Sequence, residues 1–80
     1  MKRYYFDTYD GSTWCKDEEG LEHVDEKQAL DAAYQGLADL AKDEVPNGHD
    51  GLMIVRLRNG DGSVIEVALE LQTKRFSGSE

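Results

Sequence analysis

The segment from Val24 to Glu44 constrains the fold most, because it is the stretch long and periodic enough to form a substantial helix. Apolar residues recur there at i, i+3, i+4 and i+7, the spacing of one stripe along a helix. The stripe consists of Ala29, Leu30, Ala33, Tyr34, Leu37, Leu40 and Ala41. Asp25 is the expected N-cap. Val45-Pro46 is the expected end, because the residue before a proline is driven out of the helical region.

Gly36 interrupts this stripe, at a cost of about 1 kcal/mol relative to alanine inside a helix. With about 100° per residue it falls on the apolar side, close to Ala29 and Leu40. We interpret Gly36 as a point where the helix approaches a sheet closely, with a special functional contact as the less favoured alternative.

A first hairpin is predicted before the helix. Arg3–Tyr9 is rich in aromatic residues, which favour half-buried strands, and its alternation places Tyr4 and Phe6 on the side that meets the helix. Asp10-Gly11-Ser12 is a turn signal. Thr13–Lys16 then predicts a short second strand that pairs with the first.

A second hairpin is predicted after the helix, from Leu52–Arg58 and Ser63–Leu71. The odd-numbered residues are apolar in both strands, so directly opposite residues must have an even sum if both apolar sets are to face the core. The three-residue loop Gly60-Asp61-Gly62 gives an even sum and places Gly62 where a type I turn with a bulge needs a left-handed residue. This register sets Arg56 opposite Glu66.

These elements predict an α+β fold of order β-β-α-β-β, in which a single helix packs on one face of a small antiparallel sheet. Residues 1–72 are expected to form one domain with a modest core, and the polar residues 73–80 a flexible C-terminal tail. Asp17-Glu18-Glu19-Gly20 is an acidic turn, and Leu21–Val24 adds a few strand-like residues that lead into the helix. There is no apolar stretch long enough to span a membrane and no signal peptide, so no membrane partner is expected. Cys15 is the single cysteine, which fits a cytoplasmic location.

The chain is strongly acidic, with 9 basic and 17 acidic residues and a formal charge of −8. This charge argues against binding to a nucleic acid, which needs clustered lysine and arginine. Eight carboxylates and one lysine lie between residues 7 and 26. The acidity is interpreted either as a means of solubility or as a surface for a basic partner protein.

No residue pattern predicts catalysis, a metal site or a cofactor. Cys15, His23 and His49 lack zinc-site spacing, and the acidic segment Asp17–Glu22 lacks the alternating ligands of a calcium loop. A small hydrolase that uses Cys15 with His23, or a cation at the acidic segment, is the least favoured alternative. We therefore expect the chain not to be an enzyme.

The remaining candidate is a surface, the sheet face opposite the helix. That face is expected to carry aromatic and apolar side chains among charged ones, and exposed patches of this kind often mark association. The predicted partner-binding residues are Tyr5, Tyr9, Trp14, Ile54 and Val64. An antiparallel sheet also tolerates an uncovered half-polar face without a partner. The expected function is that of a small interaction module without enzymatic activity. Its expected partner at this face is another protein or, in a homodimer, a second copy of the chain.

The chain also resembles two known families. Arg3-Tyr4-Tyr5-Phe6, then Asp10-Gly11, then Asp17-Glu18-Glu19-Gly20-Leu21-Glu22, are similar in this spacing to short bacterial proteins common in rhizobia and related alphaproteobacteria, a domain of unknown function. That resemblance covers most of the chain and implies no activity. The family often has histidines near the end of the first strand, where this chain has Asp7 and Tyr9.

The second resemblance covers about the first half of the chain. A strand, turn and strand, followed by an acidic glycine turn and a helix that opens with Gln28-Ala29-Leu30, are similar to the start of HicB-type antitoxins, which neutralise a toxin ribonuclease. This resemblance implies the runner-up function, an inhibitor that presents its acidic surface to a basic protein.

Overall fold

The computed structural model describes residues 1–48 and 50–77; His49 and the last three residues of the predicted tail lie outside the described residues. The strands and the α-helix of the described part are β1 (Lys2–Tyr9), β2 (Trp14–Cys15), β3 (Leu21–His23), α1 (Glu26–Glu44), β4 (Gly51–Asn59) and β5 (Val64–Leu71). One turn of 3-10 helix, Val45–Asn47, follows α1. The predicted α+β fold, with one helix on an antiparallel sheet, is confirmed. No helix in residues 1–48 and 50–77 is long and apolar enough to cross a membrane.

All strand pairs are antiparallel, in the order β2-β1-β4-β5, and β3 also pairs with β1. β3 is formed by the segment that was predicted to lead into the helix with a few strand-like residues. It pairs with the start of β1, through Tyr4 opposite Leu21, whereas β2 pairs with the end of β1, through Tyr9 opposite Trp14. Two short strands therefore share one edge of β1. Among the described residues, Phe6 lies in the gap between them without a strand neighbour on that edge.

The closing hairpin has the predicted register. Arg56 lies opposite Glu66, with its Nε 2.6 Å from the carboxylate. The N–H of Asn59 donates to the carbonyl of Ser63 at 3.3 Å, which closes the three-residue loop. Gly62 has a φ of 88°, as the bulge requires. The predictions of the loop length, the bulge position and the Arg56–Glu66 pairing are confirmed.

α1 begins and ends close to the predicted residues. The carboxylate of Asp25 accepts the N–H of Gln28 at 2.9 Å, and the side chain of Gln28 accepts the N–H of Val24 at 2.9 Å. Gln28 thus reaches one residue before the cap, a variation on the reciprocal capping box. At the other end, Pro46 lies in the 3-10 turn and Gly48, with a φ of 73°, reverses the chain.

The core lies between α1 and the sheet face that was predicted to meet it. The buried residues on this side are Tyr4, Ala29, Ala33, Met53, Val55 and Leu57, with Phe6, Leu30 and Ile65 packed against them. α1 lies mainly over β4, the second central strand. The outer strand β5 is therefore only partly covered, and Leu69 remains 46% exposed.

Gly36 does not mark a close approach of the helix to the sheet. A methyl group at this residue would lie 3.9 Å from Cγ2 of Val55, an ordinary van der Waals contact. The interpretation of Gly36 as a packing requirement is therefore wrong. Gly20 is the residue where only glycine fits, because its φ is 73° and a methyl group there would lie 2.8 Å from the carbonyl oxygen of Tyr4.

The two glycines should therefore respond to alanine with opposite signs. We expect Gly36→Ala to raise the free energy of unfolding by about 0.5–1 kcal/mol, since it adds helix propensity without a clash. Gly20→Ala should lower it by about 1–3 kcal/mol, the cost of a left-handed alanine, before the clash is counted. Urea unfolding followed by circular dichroism measures both. A loss of stability in Gly36→Ala would show that the helix lies closer to Val55 than described.

Candidate interaction surface

No helix or strand of the described residues covers the sheet face opposite α1, which we call the open face. Its central side chains form three rows of cross-strand neighbours, flanked by the pairs Arg3–Glu22 and Leu52–Glu70. The first row is Tyr5, Arg58 and Val64; the second is Asp7, Arg56 and Glu66; the third is Trp14, Tyr9, Ile54 and Ala68. The predicted partner-binding residues all lie on this face, in the first and third rows.

The third row is an aromatic cluster around Trp14. The ring centroids of Trp14 and Tyr9 lie 5.2 Å apart, and the guanidinium carbon of Arg56 lies 4.3 Å from the Trp14 ring centroid. Contacts of a cation with an aromatic face contribute about 0.5–1 kcal/mol at exposed sites. Trp14 is held by both neighbours, yet 42% of it stays exposed. Ile54, opposite Tyr9, is only 9% exposed and so supports the cluster rather than offering contact area.

The first row lies at the other end of the open face. The guanidinium carbon of Arg58 sits 4.8 Å from the ring centroid of Tyr5, and Val64 is exposed beside it. Tyr5 and Tyr9 are four residues apart on β1, roughly 13 Å along a strand. The predicted residues therefore form two groups, and the charged second row separates them.

Asp7 and Arg58 join the rows through a two-pronged ion pair. Arg58 Nε donates to Oδ2 of Asp7 at 2.7 Å, and its Nη2 donates to Oδ1 at 3.0 Å. Asp7 is only 6% exposed. The hydrogen bond from Arg58 holds the pKa of Asp7 below its usual value, although burial acts to raise it. The residue pattern contains a signal for this pair, because strand alternation places Asp7 on the side away from Phe6 and Arg58 on the side away from Leu57.

Asp17 attaches the loop before β3 to this ion pair. Its N–H donates to Oδ1 of Asp7 at 2.9 Å, and its carbonyl accepts Nη2 of Arg58 at 2.8 Å. Its carboxylate accepts the N–H of Phe6 at 3.0 Å, where β1 lacks a strand neighbour. Asp17 therefore takes the place of a strand residue at the gap between β2 and β3.

The acidic turn is thus built around Asp17 rather than simply solvated. Its Oδ1 also accepts the N–H groups of Glu19 at 3.1 Å and Gly20 at 3.0 Å. Burial acts to raise the pKa of Asp17, but the N–H donors of Gly20, Phe6 and Glu19 together hold that pKa below its usual value. Within residues 1–48 and 50–77, no three histidine, cysteine or acidic side chains are grouped so as to hold a metal ion.

The structure does not bring Cys15 and His23 together. Cys15 lies opposite Thr8 and His23 opposite Lys2, so the two are separated by six residues of β1, roughly 20 Å. His23 instead faces the core between aromatic rings, with its Nδ1 3.1 Å from Oε1 of Gln28.

An open depression of about 410 Å³ connects the aromatic cluster with the ion pair. It is lined by Asp7, Trp14, Lys16, Arg56 and Arg58. Three of the chain's 9 basic residues meet here, although the whole chain carries −8. Lys16 forms no ion pair with any described residue. The residue pattern did not single out these three cations as site residues. Arg56 and Arg58 are paired with Glu66 and Asp7, so Lys16 supplies the unpaired positive charge of the depression among the described residues.

Comparison with known proteins gives one match. The family model of a domain of unknown function (DUF6894) matches residues 3–70, a range that includes all three rows of the open face. No curated protein and no solved structure matches the chain.

Removal of the Asp7 charge should destabilise the fold in a pH-dependent way. We expect Asp7→Asn to lower the free energy of unfolding by about 2–3 kcal/mol at pH 7, because Arg58 loses its charged partner. A carboxyl whose pKa is lowered by folding stabilises the protein above its unfolded pKa, and this contribution disappears as the pH falls through the folded pKa. The difference between wild type and variant should therefore narrow below the ordinary pKa of 3.8.

Urea unfolding at a series of pH values measures this difference. Glu66→Gln is the matched control, because Glu66 pairs with Arg56 but is more exposed than Asp7. Its neutralisation should lower the free energy of unfolding by less than about 1 kcal/mol. An Asp7→Asn variant no less stable than Glu66→Gln at pH 7 would contradict the role of the ion pair.

Proposed function

The chain belongs to the DUF6894 family of domains of unknown function, and we propose that it is a protein-interaction module that binds a partner protein through the open face. The observation behind this proposal is Trp14, a large aromatic side chain that is fixed in place and yet 42% exposed. Exposed aromatic surface of this kind is characteristic of association sites.

The residue types around Trp14 are those that dominate binding energy in protein interfaces. Tryptophan, tyrosine and arginine are enriched at interface hot spots, and here Trp14, Tyr9 and Arg56 contact one another. Because Tyr9 and Arg56 already restrict the Trp14 ring, little conformational entropy remains to be lost on binding. The cluster is thus organised before a partner arrives.

The charges around the cluster favour a partner segment that combines apolar and acidic side chains. Apolar groups would pack against Trp14, while a carboxylate would lie near Lys16, which has no partner among the described residues. The carboxylates elsewhere on the chain would repel an acidic partner that docked in another orientation. Local positive charge therefore sets the orientation of binding.

An antitoxin-like inhibitor of a basic protein is the second candidate. It is favoured by the exposure of Glu18 and Glu19 on a loop that Asp17 fixes to the sheet. Asp7 and Asp17 themselves bond within the fold, so the acidic surface is smaller than the composition indicates. In this case the acidic loop, rather than Trp14, would make the contact.

Truncation of Trp14 should abolish partner binding. The protein is immobilised and used to capture binding proteins from a lysate of the organism it comes from. Wild type, Trp14→Ala and Phe76→Ala are used in parallel. Phe76 is the control because it is an exposed aromatic residue on the C-terminal segment, outside the open face. We expect a partner that wild type and Phe76→Ala retain and Trp14→Ala loses.

The affinity for the purified partner then decides between the two functions. Trp14→Ala should weaken the Kd by about thirtyfold or more, the effect of losing a hot-spot side chain. Trp14 is the sole tryptophan, so its fluorescence also reports the contact in the wild type. A partner that binds Trp14→Ala normally but is lost by the double variant Glu18→Lys, Glu19→Lys would refute the open-face proposal and favour the inhibitor.

A further inference from the structure

β5 is an edge strand with few of the features that prevent edge-to-edge pairing. No described strand pairs with its outer side, and it runs for 8 residues. It contains no proline and no lysine, and its charged residues are Glu66 and Glu70. Natural edge strands are usually protected by such residues, by bulges or by a covering element. Within residues 1–48 and 50–77, the outer backbone groups of β5 therefore have no strand partner.

The register of the hairpin shows which backbone groups are free. Asn59 and Ser63 form a hydrogen-bonded pair, and such pairs alternate along an antiparallel ladder. The odd-numbered residues of β5 thus bond to β4, while the even-numbered residues direct their N–H and C=O groups outward. The outward set is Val64, Glu66, Ala68 and Glu70.

We propose that two copies of this chain pair through β5, antiparallel, about a two-fold axis that passes through Val67. This pairing is separate from partner binding at the open face. It joins the two sheets into one continuous sheet, with both α1 helices on the same side. Each outward-directed residue of one copy then exchanges backbone hydrogen bonds with an outward-directed residue of the other.

Charge selects this register over its neighbours. With the axis at Val67, Glu66 lies opposite the partner's Ala68 and Val64 lies opposite the partner's Glu70. An axis at Glu66 would place Glu66 opposite the partner's Glu66. An axis at Ala68 would place Glu66 opposite the partner's Glu70. Like charges directly opposite each other are destabilising. Axes further toward either end of β5 pair fewer residues. An axis at Val67 therefore gives the longest pairing that places no two like charges opposite each other.

Apolar side chains support the same seam on the helix side. In this register Val67 meets the partner's Val67, and Ile65 meets the partner's Leu69, a residue 46% exposed in the single chain. Ala32 and Gly36 line a depression with Phe6 of β1, so they mark the flank of α1 nearer β1. Tyr34 lies on the other flank of the helix, the one nearer β5. Tyr34 is 55% exposed. The apolar stripe of α1 thus continues past the sheet contact toward the seam, as expected if a second copy completes the packing.

A proline at residue 68 tests the edge. The N–H of Ala68 is directed away from β4, so Ala68→Pro removes bonds of the dimer and leaves the hairpin ladder intact. Sedimentation equilibrium over a wide concentration range should show a monomer–dimer equilibrium for the wild type and a Kd at least about tenfold weaker for the variant. A wild type that stays monomeric at the highest concentration overturns the proposal, and so does a dimer that Ala68→Pro leaves unchanged.

Opposite charges at the same residue test the register. Ala68→Lys would face the partner's Glu66 and tighten the dimer, whereas Ala68→Glu would face it with like charge and weaken the dimer. Because this pair occurs twice about the axis, each change should be about fivefold in Kd. These variants also decide the question if Ala68→Pro fails to fold, which circular dichroism would detect.

The matched controls are Ala38→Lys and Ala38→Glu, the same changes on the exposed side of α1. These controls measure how a change of net charge alone alters the Kd of the dimer. That change is subtracted from the change caused by the same substitution at residue 68. If both charges at residue 68 weaken the dimer, residue 68 faces its own copy and the axis at Val67 is wrong. If neither charge changes the Kd beyond the Ala38 controls, the contact does not involve this edge and the proposal fails.

Discussion

The arrangement of the sheet depends on the hydrogen bond made by one backbone N–H group, that of Phe6. Two short strands share the outer edge of β1, and Phe6 lies in the gap between them. A buried N–H without an acceptor costs about 1–3 kcal/mol. The carboxylate of Asp17 supplies that acceptor, and Asp17 is in turn held by Asp7 and Arg58. The loop that connects β2 with β3 is thereby fixed to the central strands, and with it the position of Trp14.

This network explains which parts of the structure the sequence could predict. The periodic spacing of apolar residues was sufficient to predict α1 and the face of the sheet that meets it. It was also sufficient to predict the register that sets Arg56 opposite Glu66. It was not sufficient for the Asp7–Arg58 pair, whose members are 51 residues apart. A period shows which side of a strand a residue faces, but it does not show which of several opposite charges on that side will meet.

The glycines show the same limit at the level of the backbone. The sequence analysis gave more weight to Gly36 inside the helix than to Gly20, which it treated only as part of the acidic turn. The conformation reverses this order, because only Gly20 has a positive φ and a carbonyl within contact distance. A propensity scale measures the cost of glycine inside a helix, whereas the benefit at Gly20 arises from the bonds that Asp17 makes to the same turn.

The candidate site was predicted in its location but not in its chemistry. Alternation placed Tyr5, Tyr9, Trp14, Ile54 and Val64 on one face, as found. It gave no account of accessibility, so Ile54 was treated as equal to Trp14. Net charge was a poor guide as well, because it sums over the whole surface, whereas a partner experiences mainly the charges within about 8 Å at physiological salt. The side chains that share a depression with Trp14 are those of Lys16, Arg56 and Arg58, together with the carboxylate of Asp7.

The two proposed surfaces fit one another geometrically. A two-fold axis perpendicular to the sheet keeps both open faces on one side and both helices on the other, so β5 pairing hides neither aromatic cluster. Trp14 lies on β2 and the seam on β5, at opposite edges of the four-strand order. The dimer would therefore carry two equivalent binding sites, separated by the width of its central strands. A partner with two suitably spaced segments would bind such a dimer more tightly than either site alone, because the second contact forms at a high effective concentration. Edge pairing of this kind would thus act on function through valency rather than through the shape of the site.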